Sequence, residues 1–236
     1  MKRAITVATI GMLALAAGVR AEPQEFLPTK DLRMMCHTEE QDFNGGQSTR
    51  LRTTGLERSG AEFPVMDFDH AALKTFLEAN KDKKVTAKLV LVIREVAGVQ
   101  DAPVKLEAAT VDAAADWNEG EGNQVKAKKG EACYNAAQLD EKKWATADGK
   151  EVDNFLALVQ KDGQPTGKVN SKGAEVAKDA ADKTVEIVLD EAFLKHLATN
   201  AKCRGLFLFL RDKSARVDLF SREQQAKTPK LVLSAE

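Results

Sequence analysis

Two uncharged runs set the fold class. Leu89-Val90-Leu91-Val92-Ile93 lies between Lys88 and Arg94, and Leu206-Phe207-Leu208-Phe209-Leu210 lies between Gly205 and Arg211. Runs this short and this apolar read as buried β-strands. Weaker strand signals surround them. Residues 48–53 and 104–111 alternate in polarity, and residues 63–68, 155–160, 185–189, 217–221 and 231–234 are short strand candidates. Residues 32–53 read as two strands around Asn44-Gly45-Gly46. Helical spacing is confined to two places. Leu73, Phe76 and Leu77 mark a helix over 70–79, and Phe193, Leu194 and Leu197 mark another over 191–201. Many short strands and two short helices predict an all-β chain, an antiparallel jelly-roll β-sandwich with short helical insertions outside the two sheets.

The chain starts with an address. Lys2 and Arg3 precede a charge-free stretch from Ala4 to Val19, and Val19-Arg20-Ala21 offers small residues where a signal peptidase reads. Residues 1–21 are therefore expected to be a signal peptide, residues 22–29 an extended leader, and residues 30–236 one β-sandwich domain. Removing residues 1–21 takes away Lys2, Arg3 and Arg20 from 35 basic residues, leaving 32 against 36 acids and a net charge of −4. The mature protein is expected to be secreted, periplasmic or extracellular. Its charge balance excludes a strongly basic nucleic-acid binder. No later apolar run predicts a membrane span.

Four ordered segments carry a family resemblance. They are "VMDFDHAALK" with "VTAKLVL", "ADWNEGEGN", "GEACYN" followed by Trp144 and "ADGK", and Ser221-Arg222-Glu223 with "TPKLVL". Together they resemble the DNRLRE-type domain, a β-sandwich grouped with the carbohydrate-binding modules of alginate lyases. The chain departs from that pattern at Cys133, where an aromatic residue is usual, and at Asp148-Gly149. The resemblance implies a non-catalytic module that binds a polysaccharide. The alternative is a structural or cell-surface interaction protein that uses the same sandwich without a sugar ligand.

The residues themselves supply candidate contacts. Arg50 and Arg52 are two apart on a strand and project from one face. Guanidinium groups grip carboxylate and sulfate with two prongs, which suits acidic polysaccharides. Lys126, Lys128 and Lys129 form a basic loop that could support them. Trp117 and Trp144 could stack on sugar rings or pack beneath loops. Arg222 and Glu223 form a structural motif in which the arginine pairs with an acid and pins the last strands. Asp116, Asn118, Glu119 and Glu121 crowd one turn and leave a structural Ca²⁺ open, although they do not fit an EF-hand.

No catalytic motif is present: neither G-x-S-x-G nor H-E-x-x-H occurs. His37, His70 and His196 are scattered and read as surface residues. Cys36, Cys133 and Cys203 form no C-x-x-C pair, and spacing leaves three pairings open. The resemblance brings the segments around Cys133 and Cys203 toward one end of the sandwich, so a disulfide between those two is the expectation it implies.

Overall fold

The structure, a computed structural model, describes residues 22–236. The expected signal peptide lies outside the described residues. In chain order the strands are β1 (Gln24–Phe26), β2 (Lys30–Met35), β3 (Phe43–Asn44), β4 (Arg50–Thr54), β5 (Glu62–Asp67), β6 (Val85–Ala97), β7 (Val104–Asp112) and β8 (Val125–Lys126). They continue as β9 (Gln160–Lys161), β10 (Gln164–Pro165), β11 (Ala174–Val176), β12 (Thr184–Leu189), β13 (Cys203–Leu210), β14 (Arg216–Phe220) and β15 (Lys230–Ala235). The α-helices are α1 (His70–Ala79), α2 (Phe155–Val159) and α3 (Glu191–Thr199).

Two large antiparallel sheets dominate. One runs β1-β15-β6-β14-β4, with β12 also paired to β6; the other runs β11-β7-β13-β5-β2. β3 pairs with β8, and β9 with β10. Strand takes 41% of the described residues and helix 13%, so the fold class is all-β with short helices.

The two apolar runs differ in how they are buried. On β13, Leu206, Leu208 and Leu210 face the main core, with Leu106 and Ala108 of β7 and Leu89, Leu91 and Ile93 of β6. Phe207 and Phe209 point the other way, into a second cluster with Phe63, Phe155, Trp117 and Trp144. β13 is covered on both faces, which explains its unbroken apolar sequence. β6 buries only alternate residues; Val90 and Val92 are half-buried. Near its start β13 shifts register against β7 between Cys203 and Leu206. Gly205 sits there at φ 101°, and a Cβ on it would lie 2.1 Å from the Met66 carbonyl oxygen. Only glycine fits that approach.

Local chemistry sets the helix starts. Asp69 accepts a hydrogen bond from the Ala72 amide at α1, and Asp190 accepts one from the Phe193 amide at α3. The two helices pack on each other, and Leu73, Phe193, Leu194 and Leu197 add to the main core.

Three local expectations change. Residues 155–160 are not a strand: Phe155–Val159 is one helical turn, because the Asn154 side chain caps the Ala157 amide. The strands either side of Asn44-Gly45-Gly46 do not pair with each other. β2 instead pairs with β5 and β4 with β14. The leader is extended, but Gln24–Phe26 joins β15 and Phe26 enters the core. Its ladder bonds and apolar anchor make it part of the folded unit.

Candidate functional site

β4 alternates cleanly. Leu51 enters the core, while Arg50 and Arg52 stand on the opposite side, paired in register with Phe220 and Asp218 of β14. Asp218 is fully buried and gathers three guanidiniums. Arg52 grips it with two prongs, Nε to Oδ1 at 2.9 Å and Nη2 to Oδ2 at 3.2 Å. Arg50 Nη1 lies 3.6 Å from Oδ2, and Arg216 Nε 3.5 Å from Oδ1.

A second buried acid joins the group. Arg52 Nη1 donates to Glu62 Oε1 at 3.2 Å, and Arg33 of β2 pairs with Glu62 Oε2. His37 Nε2 is 3.7 Å from Glu62, and Arg216 also pairs with Glu95. Four guanidiniums thus face three carboxylates, which leaves one positive charge in excess. Arg33 is only 4% exposed, yet its Nη1 has no hydrogen-bond partner.

The electrostatics separate the two strand arginines. Burial, then the like charges of Arg33 and Arg52, pull Arg50 below the ordinary arginine value, outweighing Asp218 and Glu62. Burial alone would lower Arg52 too, but the hydrogen bonds and charge of Asp218 and Glu62 raise it. Arg52 is therefore a committed internal cation. Arg50 is held by one long contact and remains 27% exposed at its side chain.

The other sequence candidates fall elsewhere. Lys128 pairs with Glu121 at 3.2 Å and Lys129 with Glu141 at 3.9 Å, acids different from those that hold the arginines. Lys126 lies on β8 opposite Phe43. Trp117 and Trp144 are both buried, so neither presents a ring face to a sugar. Their indole N–H groups donate to the carbonyls of Arg204 and Cys133 at 2.9 and 3.0 Å. Arg222 links three places: Nη1 donates to the Thr29 carbonyl, Nη2 pairs with Glu119, and Nε lies 3.4 Å from Glu223.

The acidic turn does not form an oxygen cage. Asp116 accepts from Lys30 at 2.7 Å, Asn118 donates to the Gly130 carbonyl, and Glu121 turns to Lys128. Only Glu119 points toward other acids, Asp31 and Glu223. Each of its neighbours in the turn is drawn off by a closer partner.

The expected Cys133–Cys203 bridge is also corrected. All three cysteines are free. Cys133 packs with Ala127 and Ala136 in a small separate cluster, while Cys203 sits in the main core and its thiol donates to the Gly205 carbonyl. Placement in two different clusters keeps these thiols apart. Burial pushes Cys133 up to about 11 and Cys203 up to about 12. Burial also raises Cys36, and the Tyr134 hydrogen bond does not offset it.

Two histidines are more than surface residues. His70 Nε2 lies 2.6 Å from Asp67 Oδ1, and His196 Nε2 lies 2.9 Å from Asp112. Asp112, His196 and Cys203 converge within 4.8 Å. His196 Nε2 is engaged by both Asp112 and Asn200, however, and the Cys203 thiol is poorly ionised. The trio lacks an activated nucleophile. A cleft of about 850 Å³ is lined by Asp116, Asp140, Glu141 and Glu151 with Lys142 and Lys143. Its acids outnumber its lysines, which makes it unfavourable for a polyanion.

Among the described residues no helix is long and apolar enough to cross a membrane. Neither a family model nor a curated protein matches the chain.

Sequence reasoning reached Arg50 and Arg52 through their spacing. It missed Arg33, Glu62 and Asp218, whose signal was a charged residue inside an otherwise strand-like segment.

Proposed function

We propose that the protein is a secreted, non-catalytic binding module for an acidic polysaccharide, with Arg50 as its leading contact and Arg33 and Arg52 behind it. The observation that carries this reading is the excess guanidinium charge around Arg50, Asp218 and Glu62, with Arg50 the exposed member. A uronate carboxylate or a sulfate on the 27% exposed Arg50 side chain would neutralise the excess charge. Burial of both tryptophans removes the flat aromatic platforms that neutral glucans stack on, which favours a charged ligand. The raised cysteine values and the engaged histidines support a binding role over catalysis.

A glycan array on the purified protein tests the reading. Binding is expected on alginate-like and sulfated chains only, and Arg50→Ala should lower affinity about tenfold, the worth of one charge-assisted contact. Tight binding to a neutral glucan, or unchanged affinity in Arg50→Ala, sinks the proposal. Silence across the array favours an interaction protein without a sugar ligand.

A further inference from the structure

Three carboxyl groups from distant parts of the chain meet beside Arg222. Asp31 on β2, Glu119 in the segment after β7 and Glu223 after β14 bring oxygens within 4.8 Å of one another. The residues come from three separate loops and strands, so no single stretch of sequence announces them. This group is separate from the arginine cluster and from the acidic turn, with which it shares only Glu119.

The polar atoms can be followed one by one. Asp31 Oδ2 accepts from the Arg222 amide at 2.8 Å, and Glu119 Oε1 accepts from the Asp31 amide at 2.7 Å. Arg222 Nη2 donates to Glu119 Oε2, and its Nε lies 3.4 Å from Glu223 Oε1. Two oxygens remain. Asp31 Oδ1 and Glu223 Oε2 are buried and have no hydrogen-bond partner. Asp31 itself is 0% exposed, so bulk solvent does not reach its free oxygen. A buried carboxylate oxygen without a donor is costly and calls for a counter-ion or a proton.

Charge makes the same point. When all three acids are ionised, the one guanidinium of Arg222 leaves two negative charges. A divalent cation would cancel them. Asp31 and Glu223 each keep one oxygen without a donor, while the Asp31 amide and Arg222 hold both oxygens of Glu119 in place.

We propose that Asp31, Glu119 and Glu223 form a divalent-cation site, and that its cation is calcium. All the donors are oxygen, which selects a hard cation over zinc or copper. Calcium accepts irregular, protein-supplied oxygen sets, whereas magnesium demands near-ideal octahedral geometry and keeps several waters. A bound ion would tie β2, the segment after β7 and the turn between β14 and β15 into one clasp.

Calorimetric titration of Ca²⁺ into chelator-treated protein tests this, with thermal unfolding measured alongside. One ion should bind per chain, and the unfolding midpoint should rise with Ca²⁺ concentration by mass action. Asp31→Asn should abolish binding. Because a buried variant can fail to fold, Glu223→Gln is the second arm: it should weaken Ca²⁺ binding at least tenfold with an unchanged far-UV spectrum. Glu121→Gln, outside the site, should bind as the parent does. Absence of heat and of any midpoint shift at millimolar Ca²⁺ overturns the site. So does binding that survives both Asp31→Asn and Glu223→Gln. Tighter binding of Mg²⁺ than of Ca²⁺ overturns the choice of ion.

Discussion

Arg52 closes a two-pronged ion pair on Asp218, a residue with no solvent exposure, from a position 166 residues away in the chain. That pair makes Arg52 part of the folded core rather than a free ligand contact. Removing one partner of a buried pair strands the other charge. Arg52→Ala should therefore destabilise the protein by about 3 kcal/mol. Arg50→Ala, which gives up one long contact, should cost less than about 1 kcal/mol. Denaturant melts of both variants check this, and equal losses would show that the two arginines are equivalent.

Ligand binding through Arg50 should depend on salt. The Debye length falls from ~10 Å at 0.1 M to ~3 Å at 1 M, so exposed charge contacts fade across that range. The net charge of −4 over residues 22–236 repels polyanions at long range, which leaves only the local patch to attract them. Affinity for an alginate-like chain should drop several-fold with added salt. A salt-independent affinity would place the contact elsewhere.

The tryptophans should behave as structure. Trp144 packs edge-on to Phe155 at 5.3 Å between ring centroids, and its indole N–H is bonded. Trp144→Ala should cost about 3–5 kcal/mol. Intrinsic fluorescence should be blue-shifted, as for buried indoles, and should change little when polysaccharide is added. A strong ligand-induced change would contradict the burial.

The three thiols should all be free. Mass mapping of the unreduced protein is expected to find no bridge, and a thiol reagent near neutral pH should react slowly until denaturant is added, because burial holds the thiols protonated. A recovered Cys133–Cys203 cross-linked peptide would refute the packing described above.

His70 gives a pH signature. The Asp67 hydrogen bond raises its folded value above 6.5, despite burial pulling it down. A raised value means the folded state binds the proton more tightly than the unfolded one. The contribution is therefore fully present below pH 6.5 and is lost as pH rises through the folded value. His70→Gln should flatten stability across that window in denaturant melts at a series of pH values. An unchanged pH profile would assign the dependence to other groups.

The legible parts of the fold are those with local causes. Unbroken apolar runs marked β6 and β13, alternation marked β7, a short strand signal marked β12, and the spacing of Leu73 with Phe76 and of Phe193 with Leu197 marked the two longer helices. The helix of Phe155–Val159 was misread because five apolar-rich residues fit either state. The Asn154 cap decides between them only when the backbone closes on it. At the candidate site, spacing showed that Arg50 and Arg52 share a face, but not that Asp218 claims one of them.

By itself the sequence determined the all-β class, because periodicity and capping act over a few residues. It also put two arginines on one side of β4 through the two-residue repeat of a strand. Only the tertiary structure decided which charges meet. Arg52 finds Asp218 across 166 residues, and Asp31 receives the Arg222 amide across 191. Such pairs depend on strand order and register, which fix distance and burial together. Burial then sets whether a charge is a free contact, as at Arg50, or a locked one, as at Arg52 and Asp31.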